Sequence, residues 1–109
     1  MCQLDNKDNC LYILRMKITF DPEKRLANLK KHRLDFADAE RVFAGHTLTL
    51  PDTRFPYDEE RFSTIGLLDG AVVAIAHTET SDDIRVISMR KAERHEREQY
   101  FARLQKRGF

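Results

Sequence analysis

The sequence predicts an α+β domain: a small antiparallel β-sheet with two helices before its hairpins and one helix after them. Three observations carry this reading. The apolar residues repeat at three- and four-residue spacing before Gly45 and at two-residue spacing after it. Asp69-Gly70 separates two alternating runs, which is a tight-hairpin signal. The last alternating run, Ile84 to Met89, passes directly into a charged stretch that a helix accommodates.

Taken in order, "MKITF" (Met16 to Phe20) alternates and is short, as an edge strand is. Asp21-Pro22 then opens a helix, with Asp as the cap and Pro at the first helical position, where its missing N–H costs nothing. That helix runs to about His32 with Leu26 and Leu29 as its apolar stripe, while Lys24, Asn28, Lys31 and His32 fall on adjoining faces. Asp35 opens a second helix and Asp38 stands where a capping box would place it; Phe36, Ala39, Val42 and Phe43 are its buried stripe, and Gly45 ends it. "HTLTLP" reads as a strand, "PDTRFPYDEE" as an acidic loop, and "RFSTIGLL" and "AVVAIAHT" as the two arms of the hairpin. In the last strand Ile84 and Val86 share one face, and Arg85, Ile87 and Met89 the other. The final helix, roughly Lys91 to Lys106, has a thin seam of Ala92, Tyr100, Phe101 and Leu104. Helices on one side of the sheet complete the expected layout, with Phe20, Leu26, Leu29, Phe36, Phe43, Ile65, Val73, Ile75, Val86 and Ile87 in the core.

At 109 residues the chain suits one domain, read here as residues 16–109 behind an N-terminal extension of residues 1–15, with Met16 as an alternative start. Cys2 and Cys10 both lie in that extension, outside any apolar pattern, which points to a reducing, cytoplasmic setting. No apolar run is long enough to span a membrane, and the start lacks the order of a signal peptide.

The net charge of +1 conceals a segregated distribution. From Ile84 onward eight Lys or Arg face three acids, and from Lys17 to Arg33 six face two, whereas Pro51 to Glu60 holds four acids and one base, Arg54. Two basic segments brought together would attract a polyanion such as nucleic acid. The competing reading is a solvated helix face laced with pairs four residues apart.

The four histidines are dispersed and no Cys stands near any of them, so no metal or other cofactor is expected. Glycine-rich phosphate loops and G-x-S-x-G elbows are also missing from the sequence. What remains is a positive constellation: Arg61 opening one strand, Arg85 within another, and Arg90 and Arg94 at the strand-to-helix junction. Guanidinium forks suit phosphate oxygens and stay charged at every relevant pH. In metal-free RNA cleavage a 2′-OH attacks the adjacent phosphorus, and the protein orients it, neutralises developing charge and moves protons. Lys31, His32 and His77 are the candidate proton handlers. Their structural alternatives are a helix C-terminus that favours cations, for Lys31 and His32, and an ordinary strand surface, for His77.

"FDPEKRLANLKKHRLDFADAERVF", "ERFSTIG" and "IRVISMRKAERHEREQY", in this order, resemble the BrnT family of toxins from bacterial type II toxin–antitoxin pairs. The resemblance runs from Lys17 to about Tyr100. It implies a RelE-like fold, ribonuclease activity that stops translation, and neutralisation by a BrnA-like ribbon-helix-helix antitoxin through which alone the complex touches DNA. By position the family's basic residues fall on Lys31, His32, Arg61, Arg85 and Arg90, which implies catalytic roles for them. Lys24, His77, Arg94 and Arg97 are read beside them as further RNA-binding residues. Glu96 and Tyr100 also match, and their spacing with Ala92 on one helical face assigns them to docking. The chain departs from the family pattern at Arg33, where glycine is usual, near Thr80, where an arginine is usual, and at Met89, where a small residue is usual. Two classes of function stay open on the sequence: an endoribonuclease toxin, acting with or without the ribosome, and a non-catalytic relative that binds its antitoxin and helps regulate transcription.

Overall fold

The structure, a computed structural model, describes residues 17–52 and 60–106. The N-terminal extension and most of the acidic loop expected before Arg61 lie outside the described residues. Five strands, β1 (Lys17–Thr19), β2 (Thr47–Pro51), β3 (Phe62–Leu68), β4 (Ala71–Glu79) and β5 (Asp83–Lys91), form one sheet in the order β1-β5-β4-β3-β2. Among the described residues three helices accompany it: α1 (Pro22–His32), α2 (Ala39–Phe43), entered through a 3-10 turn at Phe36–Asp38, and α3 (Arg94–Lys106). The α+β class and the element order match the sequence reading. Among the described residues no helix is long and apolar enough to cross a membrane.

Two features of the layout correct that reading. The sheet is mixed, because β1 runs parallel to β5 while β2 to β5 pair antiparallel. The long path from β1 through two helices to the hairpins allows this, since a parallel pair needs such a crossover. Helices also cover both faces. Val73 and Ile75 of β4 pack with Phe36, Ala39, Val42 and Phe43, whereas Val72 and Ala74, their alternating neighbours, pack with Ala92 and Tyr100.

Local chemistry explains the element ends. Asp21 accepts a hydrogen bond from the Glu23 N–H (2.9 Å) and Pro22 occupies the first turn. At the other end Arg33 adopts a left-handed backbone (φ 60°) and donates its N–H to the Leu29 carbonyl, so a non-glycine takes the conformation that glycine tolerates better. Asp69 (φ 52°) and Gly70 (φ 84°) form the tight turn between β3 and β4, and Asp69 also pairs with Arg41. Gly66 has a different role: a Cβ there would come within 2.8 Å of Val42 Cγ1, so its bare backbone lets α2 approach β3.

The first helix is held differently from the expectation of a Leu26/Leu29 stripe. Leu26 is 64% exposed and Leu29 37%, while Asn28 is buried. The inward face is Asp21, Arg25, Asn28 and His32, spaced four, three and four residues apart. Arg25 forms a fork with Asp35 (2.7 and 2.9 Å) that drives the Asp35 carboxyl down to about 2, and it lies over the Phe20 ring. Asn28 donates to the carbonyls of Met89 (2.9 Å) and Leu34 (3.0 Å) and accepts from the Met89 N–H (3.1 Å). Its amide thus engages both main-chain groups of Met89, as a neighbouring strand would, beyond the point where β1 ends.

A bulge decides the faces of β5. Ala76 opposes Ser88 but His77 opposes Val86, which leaves Ile87 as the extra residue. Beyond it the alternation is inverted, so Met89 joins Ile84 and Val86 in the first core instead of sharing a face with Arg85. Ile87 is only partly buried for the same reason.

His77, expected on a surface, is buried between Phe43, edge-on at 5.2 Å, and Phe62, stacked at 5.9 Å. Its Nε2 shares a hydrogen bond with Thr64 Oγ1 (2.7 Å), which in turn meets Thr49 Oγ1 (2.8 Å). Its Nδ1 lies 3.5 Å from a Glu79 oxygen, too long for a strong bond. Burial keeps the ring neutral and lowers its pKa to about 4.

Two expectations follow. Asn28→Ala strands the buried N–H and C=O of Met89 and should destabilise the protein by about 2–4 kcal/mol, read as a lower urea midpoint. An unchanged midpoint would remove the amide from the account. The second concerns His77, whose folded pKa lies below its unfolded value near 6.5. Its contribution is full above pH 6.5 and is lost as pH falls from there towards 4, by roughly 3 kcal/mol in total. Melting curves of the wild type should show this loss, and His77→Gln should flatten it across that window.

Candidate nucleic-acid interface

Strand β5 organises the candidate site residues. On its outer edge, α1 carries Lys24 and, two turns on, Lys31 and His32, and together with Asn28, Ile87 and Ser88 they line a groove of about 230 Å³. The asparagine contact to Met89 sets the helix beside the strand. Lys30, Lys31 and His32 fill the last turn of α1, where cations also offset the helix dipole.

On one face of the strand, register aligns the arginines. Ser63 opposes Ala76, which opposes Ser88; Ile65 opposes Ala74, which opposes Arg90; and Thr78 opposes Arg85. Arg85, Ser88 and Arg90 therefore share the face that α3 partly covers, and the bulge at Ile87 is what keeps them together. Arg61 has the same parity as Ser63, and its carbonyl accepts from the Asp52 N–H (2.8 Å), which continues the β2–β3 ladder by one residue. Arg85 is exposed, whereas Arg61 is half-buried with its Nε shielded from solvent.

Arg90 does not stand in an open row of cations. Its Nη1 and Nη2 donate to the two oxygens of Glu96 (2.7 and 3.1 Å), and Nη1 also approaches the Lys91 carbonyl at 3.3 Å. Glu96 is almost fully buried and accepts as well from the Glu93 N–H (2.8 Å), the reach-back of a capping box at the start of α3. Burial opposes its ionisation, but the hydrogen bonds from Arg90 and Glu93 and the charges of Arg90 and His95 outweigh it and lower the pKa. Tyr100, one turn on, donates its hydroxyl to the His46 carbonyl (2.9 Å), and burial raises its pKa. Glu96, Tyr100 and Ala92 thus dock α3 on its own sheet.

The cleft beside Arg90 is lined by Ser63, Asp52, Glu93, His95 and Glu96 among others. Glu93, His95 and Glu96 offer ligand atoms within 4.8 Å of one another, a grouping that the dispersed histidines did not suggest. Both Glu96 oxygens are already engaged by Arg90 and the Glu93 N–H, so a cation held there would have to displace a guanidinium. The geometry is that of a helix cap.

Of the sequence-predicted residues, Lys24, Lys31 and His32 come together in the groove, and Arg61, Arg85 and Arg90 share a sheet face. Arg94 and Arg97 line a separate depression on α3; Arg94 pairs with Glu98 (3.3 Å) in the open, and Arg97 donates to the Ala92 carbonyl (2.8 Å). His77 belongs to neither group, because it is buried in the core layer on the opposite face. Ser88 is the residue that the sequence reading missed. It lines the α1 groove and also falls between Arg85 and Arg90 on the arginine face, a position created by a bulge that nothing in the local sequence announces.

Among curated proteins none matches the chain. Residues 20–96 match the family described as the ribonuclease toxin BrnT of type II toxin–antitoxin systems, a span that takes in α1, the whole sheet from β2 to β5 and the Arg90–Glu96 pair. On that match, which covers well over half of its length, the chain belongs to the BrnT ribonuclease toxins of type II toxin–antitoxin systems.

Proposed function

We propose that this protein cleaves RNA by metal-independent attack of a 2′-OH on the adjacent phosphorus, on a RelE-like fold, and that a BrnA-like ribbon-helix-helix antitoxin neutralises it in the cytoplasm. The observation that carries this reading is the bulge at Ile87, through which Ser88 borders both the Lys31/His32 groove and the Arg85/Arg90 face. A phosphate at Ser88 has proton-handling groups on one side and guanidinium groups on the other. Arg61, Arg85 and Arg90 orient the phosphate and stabilise its transition-state charge. Lys31 and His32 transfer protons or position the substrate, and Lys24, Arg94 and Arg97 meet the flanking phosphates. In the reaction the 2′-oxygen gives up its proton and bonds to phosphorus, the bond from phosphorus to the 5′-oxygen breaks, and that oxygen takes a proton. The products are a 2′,3′-cyclic phosphate and a 5′-hydroxyl.

A second reading has its own support. Arg90 is held in a two-pronged pair with Glu96, so part of the positive charge is already balanced inside the protein. That favours a non-catalytic relative that binds the antitoxin and acts as a co-repressor. Growth arrest on expression of the toxin alone separates the two.

Arg85→Ala, at an exposed position, should abolish toxicity while folding and antitoxin capture persist; Arg90→Ala should abolish toxicity and also lower stability, because it leaves the Glu96 carboxylate buried without its partner. With purified protein and labelled RNA, cleavage should continue in chelator and leave the cyclic phosphate. A deoxynucleotide at the scissile position should bind without being cut. Cleavage of that substrate, or strict dependence on added divalent metal, would overturn the mechanism.

A further inference from the structure

One side of α3 is left over by the site described above. The helix buries Glu96 and Tyr100, and turns Arg94, Glu98, Phe101 and Gln105 to the other side at spacings of four, three and four residues. Phe101 keeps 45% of its surface exposed, although the sequence pattern assigns it to the apolar seam. A single exposed aromatic is ordinary. This one shares a depression with two arginines, Arg94 and Arg97, and its ring is propped edge-on by Tyr100 at 5.4 Å. Tyr100 is itself tied to the His46 carbonyl, so the ring under Phe101 is fixed.

We propose that Phe101, flanked by Arg94 and Arg97, is a shelf on which an unpaired base of an RNA strand stacks. The inference rests on the RNA reading above and extends it to a contact outside the cleavage site. Single strands are held by aromatic faces for their bases and by cations for the phosphates between them, and Arg adds attraction to the π-face. Both requirements meet here. Arg94 is spaced from Glu98 in a solvent-exposed pair, which exchanges readily for a phosphate. Arg97 is tethered at one nitrogen by the Ala92 carbonyl, so its planar group is held in place rather than swinging free. Arg94 and Phe101 are about 10 Å apart along the helix axis, and α3 starts three residues after Lys91 ends β5, so the shelf begins at the end of the helix nearest Arg90. The exposed charge also favours RNA over an apolar protein segment: from Arg94 to Gln105, Arg94, Arg97 and Arg103 face solvent against Glu98, while Glu96 is buried against Arg90.

The chain contains no tryptophan, so Phe101→Trp introduces a single reporter at the shelf. The probe is a single-stranded oligonucleotide with 2′-O-methyl groups throughout, which cannot undergo 2′-OH attack. Phe101→Ala should weaken its binding by about 5- to 100-fold with the salt dependence unchanged, because stacking is lost and phosphate contacts are kept. Phe101→Trp should bind as the wild type does, with indole emission quenched at saturation, whereas inorganic polyphosphate should bind without quenching. Melting curves of both variants control for folding. Wild-type affinity in Phe101→Ala, or unquenched emission in saturated Phe101→Trp, overturns the shelf; so does loss of antitoxin capture in Phe101→Ala with RNA affinity intact, which gives the face to a protein partner. A wild type that binds no RNA overturns the RNA reading itself, a result distinct from the others.

Discussion

The contact of the Asn28 amide with both main-chain groups of Met89 is the constraint on which the rest of the arrangement hangs. An edge strand carries main-chain donors and acceptors that need partners, and β1 is only three residues long. It covers Asp83 to Arg85 and then stops. Where the ladder ends, one side chain completes it, and the same contact fixes the height and rotation of α1. Lys24 and Lys31, four residues before and three after Asn28, are thereby turned to the same edge. The directional amide sets this register, although few apolar contacts hold the helix down.

The bulge at Ile87 is the second constraint, and it acts on sign rather than distance. In an unbroken strand Arg85 and Arg90 fall on opposite faces, being five residues apart. The extra residue brings both to one face, with Ser88 between them and Met89 in the core. Glu96 then limits what Arg90 can do. Two hydrogen bonds from the guanidinium and one from the Glu93 N–H satisfy a nearly buried carboxylate, whose desolvation would otherwise be costly. The pair ties the end of β5 to the start of α3, so the orientation of Arg90 and the capping of the helix are set by one side chain.

Much of this was legible in the sequence, and the exceptions share a cause. Asp21-Pro22 and Asp69-Gly70 carry their geometry in their own backbone chemistry, and both features stand where they were expected. Phe36, Ala39, Val42 and Phe43 repeat at helical spacing and are all buried. The expectations for Leu26, Leu29 and Phe101 fail because apolar spacing identifies a helix but not what the helix docks with, and polar groups hold α1 from the other side. Met89 was assigned to the wrong face because a bulge shifts alternation without any residue that marks it. His77 follows an alanine-rich run and reads as a strand surface, yet Thr64, 13 residues earlier on the neighbouring strand β3, supplies the partner that lets it be buried. The site reading shares these gains and gaps. The basic residue types and their grouping near β5 were readable, while Ser88 and the Arg90–Glu96 pair depend on register and on a contact across the strand-to-helix junction.

The two sides of β5 differ in how firmly they are held, and this follows from what each is built of. Arg61, Arg85 and Arg90 rise from strands whose neighbours, Ile65, Val73, Ile75, Ile84 and Val86, are buried in two cores, so moving them requires breaking close-packed apolar contacts. Lys31 and His32 sit on a helix anchored by one amide and one partly exposed ion pair, Arg25–Asp35, with Leu26 and Leu29 turned outward. Segments with few buried apolar contacts open at lower free energy than the core. The guanidinium face, which under the proposed mechanism orients a phosphate, is therefore the more rigid side, and the Lys31/His32 groove, to which that mechanism gives the proton transfers, is the side that adjusts. That division suits a reaction in which the phosphate must be fixed in line while the proton donors and acceptors follow the moving oxygens.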